Sequence, residues 1–185
     1  LVREGPFGDH TGYYSLADDY PELKVTCITR RRDAIYPATV VGPPPMEDLW
    51  LGKATERLFL PLLKLTFPEI VDMCFPSEGV FHNLCLISMR KDFPGHAKKL
   101  LHGLWGSGQM SFTKTIVVFD AEVDVQDVSQ CAWRALANVD AKRDLVVLDG
   151  VVDVLDHAAP VLGLGGKIGL DATRKWANEG GREWP

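Results

Sequence analysis

Between Leu84 and Leu148 the apolar residues fall into five segments whose period alternates, and this alternation constrains the fold more than any other feature. Leu84–Met89, Thr115–Phe119 and Asp144–Leu148 read as strands, while Pro94–Trp105 and Val125–Asn138 carry a helical repeat. Pro94 near the first turn and Gly106 after the last suit the ends of the first of these helices. Strand–helix–strand–helix–strand with short connections argues for a parallel sheet with right-handed crossovers. The expected class is α/β: an open, mostly parallel sheet with flanking helices.

Upstream, Glu69–Phe75 reads as a further strand, joined to Leu84–Met89 around Gly79. Glu47 and Asp48 open a helix that runs to about Leu60, with acids at its positive end, and Pro61 is expected to break or restart it. Lys24–Thr29 alternates and is rich in β-branched residues, which predicts a strand. Pro43-Pro44-Pro45 forces an extended linker, and the boundary falls there: a segment over 1–45 and a domain over 46–185. After Gly150 the pattern weakens. The glycine-rich end of the chain is read as an irregular, extended tail that packs on something else.

Composition removes several function classes. The net charge of -5, from 25 acids and 20 bases, comes without a basic run, so nothing marks a nucleic acid or an anionic membrane as partner. Arg30-Arg31-Arg32 ends at Asp33 and reads as a solvated strand end. No apolar run approaches the roughly 18 to 20 residues that span a bilayer. Cys27, Cys74, Cys85 and Cys131 form no C-x-x-C pair and read as small buried thiols, and the five histidines show no metal-ligand spacing. Trp105 and Trp133 lie within helices and are read as core.

Candidate chemistry concentrates in Glu4-Gly5-Pro6-Phe7-Gly8-Asp9-His10-Thr11-Gly12-Tyr13-Tyr14. Glycines on both sides of Pro6-Phe7 allow a turn that holds two acids in one pocket, where paired carboxylates titrate apart and one can serve as a general acid. A solvated turn with two unrelated acids is the competing reading. His10 and Tyr13 adjoin the acids without an assigned role. Lys114, at a strand entrance, reads on its own as a solvated gatekeeper. Gly163-Leu164-Gly165-Gly166-Lys167-Ile168-Gly169 looks like a dinucleotide loop but lacks the preceding strand, the following helix and the later acid that the fingerprint requires.

The first motif closely resembles the active-site segment of the UbiD family of decarboxylases. The resemblance continues in order through Asp33-Ala34-Ile35-Tyr36, Gly42-Pro43-Pro44-Pro45, Phe67-Pro68-Glu69-Ile70-Val71-Asp72, Gly95-His96-Ala97-Lys98-Lys99, Phe112-Thr113-Lys114 and Gly163 to Thr173. It implies the C-terminal part of a longer enzyme: residues 1–45 as the end of the flavin-binding domain, and 46–185 as the C-terminal α/β domain, incomplete and inactive alone. It further implies prenylated FMN as cofactor, with Mn2+ and K+ held by residues outside this sequence, and an aromatic or unsaturated acid as substrate. Asp9 resembles the family's proton donor and Glu4 its second acid, which pairs with an arginine outside this sequence. Lys114 resembles the lysine that contacts the flavin phosphate. Aspartate at position 9 fits the quinone-pathway branch, with a polyprenyl-hydroxybenzoate or related acid as substrate. Homo-oligomerisation through the C-terminal domain is implied, as is a flavin prenyltransferase that supplies the cofactor. The implied location is cytoplasmic, peripheral to the membrane where the substrate is polyprenylated. The alternatives are a non-catalytic α/β dimerisation module derived from that family, or a small-molecule binding domain; retained Glu4, Asp9 and Lys114 weigh against both.

Overall fold

The computed structural model describes residues 1–80 and 82–182. A short ladder comes first, β1 (Val2–Glu4) antiparallel to β2 (Asp18–Tyr20). A helix, α1 (Glu47–Thr66), leads into the main unit of β3 (Ile70–Cys74), β4 (Leu84–Met89), α2 (His96–Trp105), β5 (Thr115–Asp120), α3 (Val128–Asn138), β6 (Leu145–Val151) and β7 (Leu164–Asp171). The five main strands form one sheet in the order β3-β4-β5-β7-β6. Its three central strands, β4, β5 and β7, are parallel, and both edges run antiparallel to their neighbours. No helix among the described residues is long and apolar enough to cross a membrane.

Burial of both sheet faces explains why β4 and β5 read as unbroken apolar runs. Cys85, Ile87 and Met89 with Ile116 and Val118 pack beneath Leu100, Leu101 and Leu104 of α2. The alternate residues, Leu86, Val117 and Phe119, meet Val125 and Cys131 on the α3 side.

Four sequence expectations are corrected. The tail is the largest: residues 164–171 form β7, which inserts between β5 and β6, so β6 becomes an antiparallel edge strand. Glycines lower strand propensity and hid it, but at Gly169 the missing side chain is what lets α2 approach. A Cβ there would lie 2.7 Å from Leu101 Cδ1 and 2.9 Å from the Trp105 ring. Pro61 does not interrupt α1. The helix is pinned to β3 and its exit on both sides of the proline: buried Glu56 accepts from Phe75 N at 2.7 Å, Arg57 reaches Met73 O, and Lys64 donates to Val71 O at 3.2 Å. Lys24–Thr29 lies outside any strand, with Val25 and Ile28 exposed and paired with no strand among the described residues. Finally, Trp133 and Cys27 are exposed rather than buried.

Glycine 169 provides a test of this packing. Gly169→Ala is expected to lower unfolding stability by about 1–3 kcal/mol through overpacking against Leu101 and Trp105. Gly166→Ala, where a Cβ meets nothing within 4 Å, should change it by less than about 0.5 kcal/mol. Urea denaturation of both variants checks this, and equal midpoints would contradict the close approach of α2 to β7.

Candidate active site

The segment from Phe7 to Ser15 is a tight hairpin. Ser15 N donates to Phe7 O at 2.9 Å, and Gly8 bridges Tyr14. At its tip Asp9 N donates to Tyr13 O at 3.1 Å and Gly12 N to Asp9 O at 3.0 Å. Gly12, at φ 79°, supplies the left-handed residue that closes a three-residue hairpin loop. This geometry turns Asp9 and His10 inward, where they are 5% and 4% exposed. Asp9 Oδ1 accepts from the His10 backbone N at 2.7 Å and shares a second hydrogen bond with ring Nδ1 at 2.8 Å. Asp9 Oδ2 and His10 Nε2 are buried without a hydrogen-bond partner among the described residues. Unsatisfied buried polar atoms are rare and mark places where a structure is built for something other than stability.

The hairpin tip seats on loops at the amino-terminal ends of the parallel strands. The His10 ring meets the edge of His82, just before β4, with centroids 5.0 Å apart. Thr11 Oγ1 and His157 Nδ1, in the β6–β7 connection, share a hydrogen bond of 2.6 Å. Burial pulls His82 below the ordinary histidine range; Asp153, Asp156 and Asp9 oppose that shift, and His10 adds to it. Burial raises Asp48, in the first turn of α1, with Glu47 and Asp9 adding to the rise and His10 opposing it.

Lys114 lies on the far side of His82. Its backbone N donates to His82 O at 3.2 Å and its ammonium pairs with Asp156 Oδ1 at 2.9 Å. The side chain is 31% exposed, so an ammonium with three donors keeps capacity beyond Asp156. Below it, Lys167 of β7 is nearly sealed and donates to Ser111 O at 2.6 Å and Thr113 O at 2.9 Å. Burial pulls its ammonium down to about 8, with Asp156 opposing. Lys167 thereby ties down the turn whose next residue is Lys114. A lysine between two glycines of a strand was the available signal for it; the motif's likeness to a nucleotide loop drew attention to the glycines instead.

Glu4 stands apart. It is exposed on β1, opposite Asp18, and no contact joins it to Asp9 or Lys114. The structure thus brings Asp9 and Lys114 to two sides of His82 and leaves Glu4 at the surface. His82, Asp156, His157 and Lys167, unassigned on sequence, complete the cluster. Beside it a cleft of about 460 Å³ opens between α1 and the 3₁₀ turn Gly108–Phe112. Its lining is apolar, including Phe59, Leu62, Phe75 and Phe112, and its ionisable residues are His82 and Asp153.

The residues fit a phosphate-bearing cofactor in part: Lys114 offers a cationic group with donors beyond its pairing with Asp156. For a metal the fit fails, since no group of three His, Cys, Asp or Glu among the described residues could hold one.

Residues 49–172 match the 3-octaprenyl-4-hydroxybenzoate carboxy-lyase C-terminal domain, and residues 1–44 the Rift-related domain of the same enzymes. An uncharacterised protein of Aquifex aeolicus is 54% identical over the whole chain, which spans 38% of that protein's length. The UbiD-class enzyme HmfF of Pelotomaculum thermopropionicum, solved with FMN, is 30% identical over 93% of this chain and 38% of its own, at a TM-score of 0.75. Vanillic acid decarboxylase of Sedimentibacter hydroxybenzoicus, in open form, is 27% identical over 100% of this chain and 40% of its own, at a TM-score of 0.86. The chain matches these domains in sequence and in fold. The chain belongs to the UbiD family.

Lys167 gives the site a pH signature. Its folded value, about 8, lies below the ordinary 10.5, so the unfolded chain binds more protons between these limits and stability rises with pH across that window. Below pH 8 the cost of the buried ammonium is fully present. Subtracting the stability-against-pH curve of Lys167→Met from that of the wild type should therefore leave a rise between pH 8 and 10.5. A flat difference would show that Lys167 is not desolvated.

Proposed function

We propose that this chain supplies the proton-donating side of a decarboxylase that uses prenylated FMN and acts on an aromatic or unsaturated acid. The observation that carries this reading is Asp9: a carboxyl group buried on a glycine-closed turn, one oxygen held by His10 and the other unclaimed. The evolved dimeric form of HmfF, 27% identical over 95% of this chain and 37% of its own at a TM-score of 0.70, was solved with prenylated FMN, which supports the cofactor.

When bound, prenylated FMN supplies an electron sink for the carbon that loses CO2. That carbon must then receive a proton from a positioned acid. Asp9 gives it from the oxygen that His10 leaves free. Lys114 presents a point charge to the flavin phosphate, in exchange for part of its pairing with Asp156. Glu4, exposed on β1, carries the second acid position and is free to pair with an arginine outside this sequence. Mn2+ and K+ would be held outside it too. A polyprenyl-hydroxybenzoate or related quinone precursor is the proposed substrate, since the apolar cleft beginning at His82 suits an acid with an apolar substituent. Such a substrate would bring the enzyme to the membrane surface, and a flavin prenyltransferase would supply the cofactor. Homo-oligomerisation is supported by α1, where Leu51, Leu58 and Leu65 recur every seven residues and are exposed.

The test is a variant series in a complete enzyme carrying this sequence, with flavin occupancy measured beside rate. Asp9→Asn is expected to cut turnover by about 10²- to 10⁴-fold at unchanged occupancy. Glu4→Gln should also lower turnover, whereas Lys114→Ala should lose flavin first. Near-normal turnover of Asp9→Asn at full occupancy would remove Asp9 as donor.

A further inference from the structure

His10 has no assigned role, yet it makes both hydrogen bonds to the Asp9 carboxylate, and its outer nitrogen is buried without a partner. A surface capping histidine would turn that nitrogen to water. Here it is enclosed, with His82 packed edge-on against the ring. The charged and titratable groups around it come from four elements: Asp9 on its own hairpin, His82 before β4, Asp48 at the start of α1, and Asp153, Asp156 and His157 in the β6–β7 connection.

We infer that His10 is the positioning and proton-reloading partner of Asp9, so that the Asp9–His10 pair, rather than Asp9 alone, stores the proton delivered in each turnover. This rests on the proposed reading of Asp9 as donor. The geometry assigns each atom a part. With Nδ1 facing Oδ1, the pair holds one mobile proton when loaded and none when spent. In the delivery step the carboxylic acid of Asp9 gives its proton to the carbon that has lost CO2, forming the new C–H bond and leaving a carboxylate. His10 Nε2 then takes a proton from solvent by way of the His82 side, forming an imidazolium. The imidazolium passes its Nδ1 proton to Oδ1, which restores the acid and leaves Nε2 protonated. As the carboxyl turns, Nδ1 takes a second solvent proton and the imidazolium so formed releases its Nε2 proton to solvent, which restores the Nδ1–H form: two protons enter, one returns to solvent and one goes to the carbon. A half-turn of the carboxyl about Cβ–Cγ presents the new proton to the next substrate. Protons balance, and no redox partner is required.

Several features follow from this arrangement. Both contacts fall on one oxygen, which leaves the second oxygen for the reacting carbon. Gly12 keeps the turn tight enough for a residue to bond its immediate neighbour's side chain. His82 shields the outer nitrogen from bulk water without closing it off chemically, because it carries a titratable ring of its own.

The experiment uses two readouts. In the 185-residue chain, ¹⁵N NMR of the His10 ring should show Nδ1 protonated and Nε2 bare in the neutral form, and Asp9→Asn should move the proton to Nε2. A neutral ring already protonated at Nε2 in the wild type would overturn the assignment. In the complete enzyme with prenylated FMN, His10→Gln keeps a hydrogen-bond donor but cannot reload. Its first turnover from the loaded state should stay within about 3-fold of wild type, while steady-state turnover falls by about 10²-fold, within the range of general acid catalysis. Added imidazole should restore part of the loss. Equal first-turnover and steady-state rates in His10→Gln would overturn the reloading role while leaving the decarboxylase reading intact. A fully loaded wild-type enzyme that decarboxylates no aromatic or unsaturated acid would remove both.

Discussion

Two hydrogen bonds from His10 to a single oxygen of Asp9 make the site possible. A buried carboxylate without donors is costly enough to protonate or to expel itself to the surface. Here the turn that buries the group also supplies its partners, so the donors arrive with the acid. The second oxygen remains unsatisfied, a cost the fold carries through the packing of the hairpin tip on His82 and His157. Removing the turn would remove acid and partner together, which is why the glycines at its base and tip matter as much as the ionisable residues.

What holds that seat in place is the sheet. His82 and Lys114 precede β4 and β5, whose register aligns Leu84 with Thr115, and the next parallel pair aligns Thr115 with Ile168. Lys114 N bonds His82 O, and Ile168 N bonds Lys114 O, so the strand entrances carry the cluster as a row. Lys167 locks the same row from below through Ser111 O and Thr113 O. The opposite ends of the strands carry a second polar cluster in which Asp144, without exposure, is bonded by Arg143 and neighboured by Lys175. That cluster is internally compensated, whereas Asp9 Oδ2 and His10 Nε2 at the amino-terminal end are buried without a hydrogen-bond partner among the described residues.

The parts of the fold legible in sequence were those where local pattern and tertiary burial agree. The apolar runs of β4 and β5 and the amphipathic face of α2 need no knowledge of neighbours. Residues 164–171 failed that test, because their glycines serve the approach of Leu101 and Trp105 from a helix more than sixty residues earlier. Pro61 failed it for a similar reason: hydrogen bonds to β3 outweigh a local helix breaker. Lys24–Thr29 erred in the other direction, since alternation predicts a strand only where a partner edge exists. At the site, the turn and Asp9 could be read from glycine spacing and family resemblance. His82, Asp156 and Lys167 could not, because nothing local in their sequence announces that the segment before β4 and the β6–β7 connection meet the hairpin, or that Lys167 ties down the turn before Lys114.

The central claim is that Asp9 moves a proton to and from the carbon that carries the departing carboxylate. By microscopic reversibility the same acid must exchange that carbon's hydrogen in the finished product. The direct measurement is incubation of the decarboxylated product with flavin-loaded complete enzyme in D2O, following loss of the ring or vinyl proton by NMR. Exchange is expected with the wild type and none above background with Asp9→Asn at equal flavin occupancy. Exchange by Asp9→Asn at the wild-type rate would contradict it.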